Sequence, residues 1–125
     1  MEKGKLFIIS TPIGNMDDIT YRAVKTLKEV DIIAVEDTRR TKKLLSHYDI
    51  HNRIINYHDY NKISVSKKIL SFLLSNKNVG LVSDAGTPCI SDPGFYLVRK
   101  ALENDIKLIP IPGPSAVLAS LIVSG

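Results

Sequence analysis

The sequence predicts an α/β fold, a five-stranded, mostly parallel sheet with helices on both faces. Two observations carry this expectation. Short apolar runs alternate five times with amphipathic stretches of helical period, and strands buried on both faces read as unbroken apolar runs. Glycine and proline then crowd the far ends of three of those runs, "TPIGN", "SDAGTPCISDPG" and "IPGPSA", where a strand must turn sharply into the next element.

The first strand is "KLFIIS", closed by the turn "TPIGN". Asp17 or Asp18 can cap a helix that sets Ile19, Ala23, Leu27 and Val30 on one face. "DIIAVE" is the second strand, and "DTRRTKKLLSHY" the helix after it, with Thr38 or Asp37 as its cap. "RIINYH" is a weaker third strand. "NKISVSKKILSFLLSN" follows as a helix with Val65, Ile69, Phe72 and Leu73 facing inward. "NVGLVS" is the fourth strand. Asp92 and Pro93 then read as an N-cap and a first helical proline, opening a helix that runs through Val98, Ala101 and Leu102. "IKLIPIP" is the fifth strand and "GPSAVLASLIV" the last helix.

Composition bounds the class. The chain has 125 residues, 44% of them hydrophobic and 24% charged, as in one ordinary soluble domain with a real core. A single cysteine, Cys89, excludes a disulfide framework and a cysteine-based zinc site, which fits a cytoplasmic location. No apolar run is long enough for a signal sequence or a membrane span. The net charge of +4 permits a nucleic-acid partner without demanding one, although "TRRTKKLL" gathers Arg39, Arg40, Lys42 and Lys43. From Ala116 to Val123 the last helix is apolar nearly all round. Such a helix needs cover on every side, so the chain is expected to be one lobe of something larger or to pack on a partner.

Ligands of open parallel sheets sit beyond the carboxyl ends of the strands. Three of those ends are glycine–proline loops here, and two, "VEDTRRT" and "NYHDYN", are polar. Glycine lets backbone approach a ligand and proline limits the entropy lost on binding, which favours a rigid cleft floored by main chain. Neither the dinucleotide fingerprint nor the phosphate-loop pattern is present. Cations are scarce in the glycine loops, so a neutral or zwitterionic ligand suits them better than a polyphosphate. No carboxylate and histidine grouping has metal-ligand spacing.

Four motifs in order, "ISTPIGNMDDIT", "AVEDTRRT", "SDAGTPCISDPG" and "IPIPGPSA", closely resemble the tetrapyrrole methylase superfamily. Within it they resemble the branch that methylates a cytidine ribose 2′-hydroxyl in small-subunit ribosomal RNA. The resemblance implies two α/β lobes, S-adenosylmethionine folded between them, and a homodimer. Residues 1–125 are then the N-terminal lobe, without the C-terminal lobe's share of the site. It implies cofactor contacts at Pro12, Ile13 and Gly14, at Gly86, Thr87 and Ile90, and at Ser115 and Ala116. Thr87 stands where the tetrapyrrole branch carries aspartate, a departure that favours the RNA branch over methylation of a tetrapyrrole or diphthine precursor. A lobe that binds without catalysing is the other alternative.

A ribose hydroxyl is a weak nucleophile, so a base or charge-stabilising group should assist it. Asp37, Asp84 and His58 are candidates, each at a strand's carboxyl end. Asp37 reads equally as a helix cap and Asp84 as the brace of an Asx turn. Arg39 and Arg40 are expected to hold RNA phosphates, which suit arginine's fork, against the simpler reading of a solvated helix face.

Overall fold

A computed structural model describes residues 2–89 and 94–125. In chain order the elements are β1 (Lys5–Ile9), a short 3-10 turn (Met16–Asp18), α1 (Tyr21–Glu29), β2 (Ile32–Val35), α2 (Thr38–His47) and β3 (Ile54–Asn56). They continue as α3 (Lys62–Leu74), β4 (Val79–Leu81), α4 (Gly94–Glu103), β5 (Lys107–Ile111) and α5 (Ala116–Ile122). The five strands among the described residues form one sheet in the order β3-β2-β4-β1-β5. Every neighbouring pair is parallel, so the sheet is wholly rather than mostly parallel.

Successive strand residues point to opposite faces, and the core divides accordingly. From β2, Ile32 and Ala34 join a cluster with Leu6, Ile69, Leu73, Leu97 and Ala101, which places α3 and α4 on that face. Ile33 and Val35 join Ile9, Ala23, Leu27 and Leu45 on the other, under α1 and α2. Helices therefore cover both faces, as the continuous apolar runs predict. α5 is the exception. None of its residues is buried, and Leu118 and Ile122 stay 61% and 79% exposed.

Local details sharpen the expected helix starts. Thr20, not Asp17 or Asp18, caps α1, its hydroxyl accepting from Ala23 N–H at 3.0 Å. The two aspartates lie instead in the 3-10 turn, capped by Asn15 through Asp17 N–H at 3.0 Å. The loop after β1 thus takes one extra turn before the helix can start. Of the two candidates for α2, Asp37 is the cap. On α3, Ile69 and Leu73 are buried as expected with Ser66, whereas Val65 and Phe72 are only half-buried. The expected cap at Asp92 and Pro93 lies outside the described residues.

The chain leaves β1 past the position of β4 to build β2 and β3, returns to β4, and then crosses to β5. Connections from β1 and β4, adjacent at the centre, diverge in opposite directions. Their carboxyl ends are the topological switch point.

Tyr57, at the carboxyl end of β3, is 2% exposed and packs in the α3–α4 cluster. Burial raises its phenol above the ordinary 10.0, outweighing the opposing hydrogen bond from Ser66. A raised folded-state value favours the neutral phenol, so this contribution to stability is whole below pH 10.0 and is lost as pH rises beyond it. The urea midpoint should accordingly hold up to that pH and fall above it, with the fall reduced in Tyr57→Phe; an identical alkaline fall in that variant would contradict the assignment.

Candidate functional site

The three glycine–proline loops meet at the switch point and are bonded into one ledge. Thr11, two residues beyond β1, exchanges backbone hydrogen bonds with Gly86, N–H to O at 2.9 Å in both directions. Ser10 N–H donates to Ile111 O, at the end of β5, at 3.3 Å. Thr87 Oγ1 donates to Pro114 O at 2.9 Å and lies 2.9 Å from Ser10 Oγ. A hydroxyl carries one proton and a carbonyl can only accept, so the Ser10 hydroxyl must be the donor to Thr87.

Two glycines make this approach possible. Gly86 has φ +82°, a conformation that L side chains rarely adopt, and a Cβ there would lie 3.0 Å from Ile13 Cγ2. A Cβ on Gly113 would come within 2.9 Å of Ser10 Cβ. Gly14 differs, since a Cβ on it would meet nothing within 4 Å. It leaves open space that a ligand can enter. The ledge loops carry no cation, and Asp84 is their one carboxylate among the described residues. That charge balance suits a zwitterion better than a polyanion.

The polar ends of β2 and β4 are also linked. Asp84 Oδ1 accepts from Asp37 N–H at 3.0 Å. Asp37 Oδ1 in turn accepts from Arg39 N–H at 2.9 Å as the cap of α2, with Arg39 Nε 3.7 Å away. Beside this chain lies a cavity of about 270 Å³ between the β1 loop, the β4 loop and α2. Ile13, Gly14, Thr11, Asp84, Arg40 and Lys43 are among the residues that line it.

The residues expected at the site are therefore distributed rather than gathered at one point. Pro12, Ile13, Gly14, Asp84 and Arg40 line the cavity. Gly86 and Thr87 lie in the bonded ledge. Ser115 caps α5, its hydroxyl accepting from Leu118 N–H at 3.3 Å, and Ala116 is the exposed first residue of that helix. Asp37 is a helix cap and does not line the cavity, and neither does the exposed Arg39. His58 follows β3, an edge strand separated from β4 by β2. It is half-buried, its Nδ1 is buried without a hydrogen-bond partner among the described residues, and its ring meets that of Tyr60 edge-on. Ile90 lies outside the described residues.

Sequence reasoning missed Thr11 and Lys43. The second had a signal, since Arg40 and Lys43 stand three apart on a helix and so share a face. Thr11 had none, because its hydroxyl matters only once α2 is known to pack across from it.

The family model describing tetrapyrrole (corrin/porphyrin) methylases matches residues 5–125. A ribosomal RNA small subunit methyltransferase I of Halalkalibacterium halodurans is 51% identical over 99% of this chain, and that of Bacillus subtilis 49% identical over 99%. The chain spans only 43% and 42% of those two relatives. Among solved structures, a conserved hypothetical protein of Aeropyrum pernix aligns with TM-score 0.75 at 22% identity over 94% of this chain and 42% of its own. A uroporphyrin III C-methyltransferase of Thermus thermophilus aligns with TM-score 0.72 at 17% identity, over 94% and 52%. These two likenesses show the fold.

The ledge can be tested through stability. Thr87→Val should lower the unfolding free energy by about 1–3 kcal/mol, because Pro114 O and Ser10 Oγ both lose their partner, whereas Thr87→Ser should recover most of it. Denaturant melts read this directly, and a Thr87→Val variant as stable as the parent would remove the ledge's proposed brace.

Proposed function

The chain belongs to the tetrapyrrole (corrin/porphyrin) methylase family, and on that premise we propose that it is the N-terminal lobe of a ribosomal RNA methyltransferase. The enzyme transfers a methyl group from S-adenosylmethionine to a cytidine ribose 2′-hydroxyl in small-subunit ribosomal RNA. The single observation that carries this reading is the bonded, cation-free ledge at the switch point standing beside a cavity rimmed by Arg40 and Lys43. A zwitterionic cofactor suits the first and a polyanion the second. The names of the relatives supply the substrate class, and Thr87 in place of an acid agrees with it.

When bound, S-adenosylmethionine supplies an electrophilic methyl group on a sulfonium. Pro12, Ile13, Gly14, Gly86, Thr87, Ser115 and Ala116 are proposed to hold it, with Ile90. The main chain at Gly86 and Thr87 would receive its amino-acid end through groups other than the Gly86 N–H, which is bonded to Thr11 O. An in-line displacement on the bound cofactor would need the acceptor oxygen, the methyl carbon and the sulfur held in one line. Holding those three atoms in line is the chain's principal task. Asp84 is proposed to take the hydroxyl's proton, since it lines the cavity and its Oδ2 has no hydrogen-bond partner among the described residues. Asp37 positions α2 through its cap, and His58 is left at the margin by its edge strand. Arg39 and Arg40 contact RNA phosphates.

The partner lobe is proposed to cover the exposed apolar face of α5, in keeping with the greater length of the relatives. The working enzyme is proposed to be a cytoplasmic homodimer. No helix among the described residues is long and apolar enough to cross a membrane.

Incubating the protein that carries both lobes with labelled S-adenosylmethionine and small ribosomal subunits tests this reading. Label is expected in 2′-O-methylcytidine after nuclease digestion. Label found only on an added tetrapyrrole or diphthine precursor would contradict it, as would no transfer to any acceptor.

A further inference from the structure

The cavity between the β1 loop and α2 contains a group the fold does not use. Thr11 is 3% exposed, lines that cavity, and holds its Oγ1 buried with no hydrogen-bond partner among the described residues. Buried hydroxyls in native proteins are nearly always partnered, and leaving one unmet is costly. Its backbone is not the reason, since both main-chain groups of Thr11 are bonded to Gly86. The backbone clamp therefore holds this residue rigidly at the cavity wall, with its hydroxyl's bonding capacity unspent.

The opposite wall gives the chemistry of that occupant. Arg40 and Lys43 line the cavity from α2, are exposed, and have no carboxylate within ion-pair distance among the described residues. Arg39 contrasts with them, since its guanidinium lies beside Asp37 and outside the cavity lining. Two unpaired cations one turn apart suit a phosphate, and a buried hydroxyl suits a sugar hydroxyl, which can both donate and accept. A volume of about 270 Å³ is of the size that a nucleoside phosphate fills.

We propose that this cavity is the subsite for one nucleotide of an RNA strand, with Lys43 and Arg40 on its phosphate and Thr11 Oγ1 on its ribose hydroxyl. The inference rests on the ribosomal RNA reading above and adds two positioning residues to it. It divides the switch point in two. Cofactor lies toward β5, on the Gly86–Thr87 ledge, and nucleotide lies toward β2, with the Pro12–Gly14 loop and Asp84 between them. Thr11 is the residue that distinguishes ribose from deoxyribose.

The test uses the protein with both lobes, and the variants Lys43→Gln, Thr11→Val and Thr11→Ser. For small ribosomal subunits, KM should rise about tenfold in Lys43→Gln, and the salt dependence of oligoribonucleotide binding should lose about one phosphate's worth of slope. Wild type should bind a short cytidine-containing oligoribonucleotide more tightly than its deoxy counterpart. Thr11→Val should lose that preference while Thr11→Ser keeps it, so a folding defect in the valine variant does not decide the matter alone. The S-adenosylmethionine Kd, read by calorimetry, should stay within about twofold throughout. A weakened cofactor Kd with unmoved RNA parameters would assign the cavity to the cofactor and overturn the proposal, as would variants indistinguishable from wild type in every reading. If wild type labels no RNA yet oligoribonucleotide binding still depends on Lys43 and Thr11, the activity reading fails and the subsite stands.

Discussion

One hydroxyl links all three glycine–proline loops at the carboxyl edge of this sheet. Thr87 Oγ1 gives its proton to Pro114 O and receives that of Ser10, each at 2.9 Å, so a single side chain joins the loops after β1, β4 and β5. The paired backbone bonds between Thr11 and Gly86 run alongside it. Loops after parallel strands are otherwise free to differ in path. Here three of them share partners, and the glycines at 86 and 113 are required because any Cβ would press on Ile13 or Ser10.

This clamp explains why the residues of the site fall into two groups. Bonded backbone and small side chains fill the β5 side, leaving a surface of main chain without a cation. On the β2 side the loops separate, and α2 enters with Arg40 and Lys43. The link from Asp84 to Asp37 N–H and on to Arg39 N–H fixes α2 relative to β4. Two carboxylates at strand ends thus have structural work to do, and only Asp84 also faces the cavity. Rigidity would serve the proposed methyl transfer, since a displacement depends on alignment.

The strands were legible because parallel, doubly covered strands are apolar throughout, and β2 is buried at all four positions. Helix starts were less so. Asn15, Asp17, Asp18 and Thr20 are all good caps, and which one begins α1 depends on the extra turn that the β1 loop makes. The site was legible as an edge of the sheet but not as a place, since strand order cannot be read from local pattern. His58 shows this well: it follows a strand as Asp37 does, yet β3 lies at the margin of the sheet. Thr11 and Lys43 meet only through tertiary packing. Thr87, singled out for its place in a motif, proved to be the brace of the ledge as well.

In the proposed partition of the switch point, cofactor rests on the Gly86–Thr87 ledge and nucleotide lies beside Arg40 and Lys43. A crystal structure of the protein with both lobes and S-adenosylhomocysteine bound tests it most directly. The ligand's amino-acid end is expected against the main chain of Gly86 and Thr87, with the cavity beside Thr11 left clear. Density for the ligand inside that cavity, between Thr11 and Lys43, would contradict the partition.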